Sequence, residues 1–162
     1  THTKYRKCNF EKVRFPWQRE VKNLTQEQKR SGKILVVDDQ EGIRQLLFEI
    51  LTAEGFVVQL AANGIEALNS IEQYEPDIII VDMKMPGISG LEVIKELKGK
   101  GYKGCIILMT AYGELEIVNE AEKLGVKYQI NKPFDIDDLL QLIRSISNNE
   151  LGGEKPPNTY HL

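Results

Sequence analysis

The sequence contains little cysteine and no long apolar run, and both absences narrow the class of protein. Its two cysteines, Cys8 and Cys105, are too few to build a disulfide framework. No apolar run approaches the ~20 residues that a helix needs to cross a bilayer. The basic segment 1–10 also lacks the apolar stretch of a secretory signal. We therefore expect a protein of the reducing cytoplasm that does not enter a membrane.

Positive charge is scarce outside the first part of the chain. The formal net charge is −3, yet residues 1–32 carry nine Lys and Arg against three Glu, a balance of +6, so the remainder carries −9. An acidic body is unlike a nucleic-acid-binding domain, which needs a basic surface. A basic arm can contact an acidic partner or a membrane surface, but a flexible, solvated extension is the favoured interpretation. Residues 148–162, with two Gly and two Pro, predict a flexible tail.

Between residues 33 and 147, short apolar runs alternate with segments of helical periodicity. The runs have strand length, and four of them are rich in β-branched residues. They are ILVV (34–37), FVVQL (56–60), IIIV (78–81), CIILM (105–109) and the weaker VKYQI (126–130). Apolar residues between them recur at helical spacing, as in Ile43, Leu46, Leu47, Ile50 and Leu51. This alternation predicts one α/β domain of the (βα)₅ type, whose mostly parallel sheet is covered on both faces.

Polar residues follow four of the five predicted strands. Asp38 and Asp39 follow the first, Asp82 the third, Thr110 the fourth and Lys132 the fifth. Sites in parallel α/β sheets form beyond the carboxyl ends of the strands, so these side chains are expected to converge on one crevice. A single polar residue at a strand end is common in turns. Polar residues after four of the five strands are difficult to attribute to chance.

Three carboxylates in one crevice predict a bound cation. Neighbouring carboxylates raise one another's pKa unless positive charge is present. Mg²⁺ (or Mn²⁺) prefers oxygen ligands and is often held by one or two carboxylates together with a phosphate. We expect Asp38 and Asp39 to hold the ion directly or through water, with Asp82 and the backbone carbonyl of Lys84 as further oxygen ligands.

A carboxylate in such a pocket is suited to accept a phosphoryl group as an aspartyl-phosphate. We assign Asp82 as this phosphoacceptor, Lys132 as the cation that pairs with the phosphoryl group, and the Thr110 hydroxyl as its hydrogen-bond donor. The chain would then catalyse its own phosphorylation and its slow dephosphorylation. The Lys132–Pro133 peptide bond is open to either isomer, because X–Pro bonds adopt cis at small cost.

Four segments resemble, in order and spacing, the receiver domains of two-component response regulators. They are ILVVDDQ, IIIVDMKMPGISG, ILMTAYG and INKPF, and the resemblance covers residues 33–146. It implies a flavodoxin-like fold with strand order 2-1-3-4-5. With AANGIEAL and KPFDID included, the sequence is similar to single-domain phosphorelay members of this family that act in sporulation. Such a monomer takes a phosphoryl group from a sensor histidine kinase and passes it to a histidine phosphotransferase protein.

The resemblance also implies a partner surface on the first helix and on the loops around the pocket. Its members are Gln40, Gly42, Ile43, Leu46, Lys84, Tyr112, Pro133 and Phe134. For Ile43 and Leu46, burial in the hydrophobic core is as well supported as a place on the partner surface. Phe134 is more often packed than exposed in such a position.

One position departs from the family pattern and bears on the type of output. Many receivers carry Tyr or Phe three residues before the lysine, whereas this sequence has Gln129 there. Tyr128 precedes it, but strand alternation directs that ring to the opposite face. The loss of an aromatic switch suits a relay component. The alternative is a stand-alone receiver that signals by phosphorylation-dependent binding to a target protein.

Overall fold

The computed structural model describes residues 32–148, which form five strands and five helices in strict alternation. The expectations for the basic extension and for the C-terminal tail fall on residues 1–31 and 149–162, outside this range. Within it, no helix is long and apolar enough to span a membrane. The elements are β1 Lys33–Val37, α1 Glu41–Ala53, β2 Val57–Ala61, α2 Gly64–Tyr74, β3 Ile78–Asp82, α3 Gly90–Gly99, β4 Cys105–Thr110, α4 Leu115–Lys123, β5 Tyr128–Asn131 and α5 Ile136–Ser147.

All neighbouring strands in the sheet are parallel, and their order is β2-β1-β3-β4-β5. This confirms the fold expected from the sequence. The chain winds outward from β1 to β2 and then returns past β1 to β3, so the direction of winding changes between β1 and β3. At such a switch the loops that leave the two strands turn to opposite faces and open a crevice at the carboxyl edge. The carboxyl ends of β1 and β3 are the positions of the acidic residues.

Two apolar clusters cover the sheet, one on each face. The first packs α2, α3 and α4 on one face of the sheet, and the second packs α1 and α5 on the other. Strand β1 shows the alternation, since Leu35 and Val37 belong to the first cluster while Ile34 and Val36 belong to the second. All five residues of β3 are buried. Burial on both faces explains why the strands have continuous apolar runs rather than alternating patterns.

Side-chain caps fix where two helices begin near the carboxyl edge. Asn63 accepts a hydrogen bond from the Glu66 N–H at 2.9 Å and starts α2. Ser89 and Glu92 form a reciprocal capping box at the start of α3, at 3.3 Å and 2.7 Å. These bonds satisfy N–H groups that have no partner inside the helix. The caps therefore hold the α2 and α3 N-termini at the rim of the crevice.

Gly90, the first residue of α3, lies directly against the end of β3. A Cβ at this position would overlap the carbonyl oxygen of Asp82 and would lie 3.0 Å from the Cα of Met83. Both neighbours are backbone atoms, so a side chain cannot be accommodated by a rotamer change. Gly99, at the other end of the same helix, has no atom within 4 Å of the corresponding Cβ position.

We expect Gly90→Ala to lower the free energy of unfolding by about 2–3 kcal/mol, because the new methyl group overpacks against backbone. Gly99→Ala is the matched control in the same helix. It should be neutral or stabilise by up to about 1 kcal/mol, since alanine favours helix over glycine. Urea denaturation monitored by circular dichroism measures both. Equal stability of the two variants would contradict the close packing of α3 on β3.

Candidate active site

Asp38, at the end of β1, is held in a fixed orientation. Its side chain has no solvent exposure. One carboxylate oxygen accepts the N–H of Gln40 at 2.8 Å, and the backbone carbonyl accepts a hydrogen bond from Arg44 of α1 at 2.7 Å. The Arg44 contact was not predicted, because a donor six residues along in the next helix has no recognisable spacing. These two hydrogen bonds connect Asp38 to the turn between β1 and α1 and to the first turn of α1.

Three carboxylates meet at the carboxyl edge of the sheet. Asp38, Asp39 and Asp82 each offer an oxygen, and these oxygens lie within 4.8 Å of one another. Asp38 and Asp82 are buried, and Asp39 is exposed. This is the acidic cluster typical of the Mg²⁺ site of receiver domains. The structure brings together the acidic residues that sequence reasoning placed in one crevice.

The electrostatic state of Asp82 fits a cation site. Burial raises the pKa of the Asp82 carboxyl group, and the nearby charge of Asp38 raises it further. Lys132 and the backbone N–H of Lys84 act in the opposite direction, but the pKa stays above its usual value. A hard divalent ion among these oxygens would offset the repulsion and favour the ionised carboxylate. The residues therefore fit Mg²⁺.

Lys132 brings one positive charge into the cluster. Its Nζ lies 2.6 Å from Oδ2 of Asp38 and 3.3 Å from Oδ2 of Asp82. Burial lowers the pKa of Lys132, but the hydrogen bond to Asp38 and the charges of both aspartates outweigh burial and raise the pKa overall. The side chain therefore remains protonated. The Lys132–Pro133 bond, which the sequence left open, is cis.

Thr110 is fully buried at the end of β4, next to Lys132. Its hydroxyl donates to Oδ1 of Asn131 at 2.9 Å, and its carbonyl accepts the backbone N–H of Lys132 at 2.7 Å. The hydroxyl hydrogen is therefore used by a neighbour rather than aimed at an open acceptor. Sequence reasoning missed Asn131. Its position directly before the lysine was the available signal. The contact with Thr110 becomes evident only from the strand register, which pairs the two residues.

A second missed residue, Glu114, connects two of the loops that form the pocket rim. The Lys84 ammonium lies 2.9 Å from Oε1 of Glu114, whose side chain is only 6% exposed. Oε2 of the same carboxylate accepts the N–H of Ala111 at 3.1 Å. The hydrogen bond and charge of Glu114 raise the pKa of Lys84. This pair links the loop after β3 to the loop after β4.

The residues expected at the partner surface divide into exposed and partly packed groups. Tyr112 is 99% exposed and Leu46 is 41% exposed, whereas its neighbour Leu47 is fully buried. Ile43 and Phe134 are partly buried against the α1 and α5 cluster. Gln40, Gly42, Lys84 and Pro133 are exposed. Among the other exposed apolar side chains, Ile65 and Leu115 lie at the starts of α2 and α4 and were not predicted.

The residues before the lysine are oriented as strand alternation predicts. Tyr128 is buried in the cluster formed with α1 and α5. Gln129 is directed to the other face of β5 and is half-buried. The position of the aromatic switch therefore holds an amide side chain.

Comparison with known proteins agrees with this geometry. The family described as the response regulator receiver domain matches residues 34–144. Sporulation initiation phosphotransferase F of Bacillus subtilis is 44% identical over 112 residues, which cover 69% of this chain and 90% of that protein. The Escherichia coli regulatory protein AtoC is 35% identical over 70% of this chain, which spans only 24% of the length of AtoC.

Among solved structures, the Vibrio cholerae chemotaxis protein CheY4 superposes with a TM-score of 0.67 at 30% identity, over 72% of this chain and 98% of that one. The family match covers more than half of the chain and includes every strand end that forms the acidic pocket. The chain belongs to the response regulator receiver domain family.

Proposed function

We propose that this chain acts as a phosphorelay intermediate, in which Asp82 accepts a phosphoryl group and later yields it to another protein. The observation that carries the proposal is the meeting of Asp38, Asp39 and Asp82 within 4.8 Å, with the Lys132 ammonium against two of them. Receiver membership implies a histidine kinase as the donor. The acceptor is proposed to be a histidine phosphotransferase protein.

The chain's own residues account for the transfer step. The Asp82 carboxylate attacks phosphorus, the P–N bond to the donor histidine breaks, and a new O–P bond forms. Lys132, already 3.3 Å from Asp82, then neutralises a phosphoryl oxygen. The three aspartates and the Lys84 carbonyl would hold Mg²⁺ (or Mn²⁺), which would supply further positive charge for the phosphoryl oxygens. The return step reverses these bonds on an acceptor imidazole.

Exposed side chains around the pocket support protein partners for both steps. Tyr112 and Leu46 are accessible, and a groove of about 520 Å³ runs beside Asp39 between the loops that lead into α2 and α3. A helix that carries a reactive histidine fits against such a surface by apolar contacts. The similarity to the phosphotransferase of Bacillus subtilis extends over 90% of that protein, which supports the same role in sporulation.

The second candidate is a receiver that signals by phosphorylation-dependent binding to a target protein. The exposed side chains of Tyr112 and Leu115, at 99% and 70%, favour it because they are accessible in the loop and helix start that follow β4. Similarity to a chemotaxis protein is in line with such a role. Under either function we propose a cytoplasmic monomer that catalyses its own phosphorylation and slow dephosphorylation. The free thiol of Cys105 fits a reducing compartment.

Incubation with acetyl phosphate and Mg²⁺ should add one phosphoryl group to the chain, and Asp82→Asn should abolish the addition because the nucleophilic oxygen is lost. Intact-mass spectrometry measures the product. Asp77→Asn is the matched control. Asp77 directly precedes the first residue of β3, at the opposite end of the strand from Asp82, and its side chain accepts a hydrogen bond from the Lys33 N–H. An unchanged mass of the wild type would contradict the assignment of Asp82.

Mg²⁺ should stabilise the wild type by about 2.7 kcal/mol at a hundredfold excess over Kd, because the ion binds the folded carboxylate cluster. Asp39→Asn and Asp82→Asn should lose most of this gain. Glu96→Gln, an exposed acid on α3, should retain it. Thermal denaturation with and without MgCl₂ measures the difference. The same gain in all four proteins would show that the ion acts elsewhere.

A radiolabelled, autophosphorylated histidine kinase should transfer its label to this chain, and an added histidine phosphotransferase protein should then remove it. We expect Leu46→Ala to slow both transfers about tenfold, the effect of losing an interface residue that contributes somewhat more than 1 kcal/mol. Val57→Ala, on the edge strand, is the matched control, since Val57 is also an exposed apolar residue, at 56%.

Phosphorylation by acetyl phosphate should be the same in both variants, because it requires no protein contact. A label that stays on this chain after the phosphotransferase protein is added would favour the second candidate function over the relay.

A further inference from the structure

The hydroxyl group of Thr110 already has a hydrogen-bond acceptor within the protein. Thr110 and Asn131 are paired in register at the carboxyl ends of β4 and β5, and the distance from Oγ1 to Oδ1 is 2.9 Å. Thr110 is only 1% exposed. A threonine hydroxyl carries a single hydrogen. Donation to Asn131 therefore excludes simultaneous donation to a phosphoryl oxygen on Asp82.

We propose that Asn131 is a positioning residue that holds the Thr110 hydroxyl in the unphosphorylated state and competes with the phosphoryl group for its hydrogen. The inference rests on the proposed function, because it requires a phosphoryl group on Asp82. Phosphorylation then exchanges one acceptor for another. The strength of the Asn131 bond sets part of the balance between the two states.

Backbone contacts restrict this exchange to a side-chain rotation. The Lys132 N–H donates to the Thr110 carbonyl at 2.7 Å, and the preceding residues Met109 and Ile130 are paired in the sheet, so the ends of β4 and β5 are held together around the Thr110–Asn131 bond. Threonine is β-branched and occupies few χ1 rotamers. The hydroxyl therefore changes partner in a discrete step rather than by a gradual movement of the strands.

The test measures the affinity of the protein for BeF₃⁻, which mimics a phosphoryl group on a carboxylate, with Mg²⁺ in excess. Asn131→Ala should bind BeF₃⁻ two- to tenfold more tightly than the wild type, the range that one net neutral hydrogen bond supports. Asn131→Leu keeps the shape of the side chain without the acceptor and should show the same gain in affinity for BeF₃⁻. Gln59→Ala removes a half-buried amide on β2 and should leave the affinity unchanged.

A double-mutant cycle separates this role from a general effect on β5. In the Thr110→Val background, which lacks the hydroxyl, Asn131→Ala should leave BeF₃⁻ affinity unchanged. Persistence of the effect there would overturn the proposal, as would equal affinity of Asn131→Ala, Asn131→Leu and wild type. If the wild type neither binds BeF₃⁻ nor takes up a phosphoryl group, the proposed function fails, and the role of Asn131 fails with it.

Discussion

Mutual repulsion of carboxylates at the carboxyl edge of the sheet is the interaction on which the rest of the site depends. Parallel strands bring Asp38 and Asp82 to the same edge, and burial removes the water that would screen them. The cluster persists because Lys132 lies against both carboxylates. This leaves the metal-free pocket with more negative than positive charge. The chemistry of the site follows from that imbalance, since a divalent cation relieves it and also offsets the negative charge that a phosphoryl group would add.

Packing and helix capping elsewhere in the fold offset the destabilising repulsion between these carboxylates. Two apolar clusters bury the sheet on both faces, and capped helices begin at the rim of the pocket. The close approach of Gly90 to the Asp82 backbone fixes the end of β3 where the Asp82 carboxylate is presented. A raised pKa at Asp82 means that ionisation is harder in the folded state than in the unfolded one. Ionised Asp82 therefore lowers the stability of the metal-free protein as pH rises through that raised pKa.

Much of the fold and of the acidic cluster could be predicted from sequence, because both depend on periodic or adjacent residues. Apolar runs of strand length place Asp38, Asp39 and Asp82 at strand ends, and parallel topology then brings them together. The contacts of Thr110 with Asn131 and of Lys84 with Glu114 could not be found this way. Each depends on strand register or loop geometry between segments that are far apart in sequence, and no periodicity encodes it.

Burial of single residues within a helical pattern was similarly beyond sequence reasoning. Leu46 and Leu47 are adjacent leucines in the same apolar stripe, yet only Leu47 reaches the core. The apolar pattern of α1 is wider than the face that packs on the sheet, so it includes a residue at the solvent boundary. Which member of the stripe is exposed depends on how the helix is rotated against the sheet. In the structure α1 packs on β1 and β2 through Leu47 and Leu51, which belong to the second cluster.

The contacts of Lys132 and Thr110 in the pocket bear on the proposed transfer in both directions. Lys132 is bonded to Asp38 before any phosphoryl group arrives. Thr110 likewise has an acceptor in Asn131. A phosphoryl group on Asp82 must therefore take these groups from partners that already satisfy them, so its net stabilisation is smaller than the sum of its new contacts. A site built of unsatisfied donors would hold the phosphoryl group more firmly, whereas exchange of partners reduces the difference in free energy between the two states. Such an exchange suits the proposed relay function, in which the same pocket has to accept the group and release it.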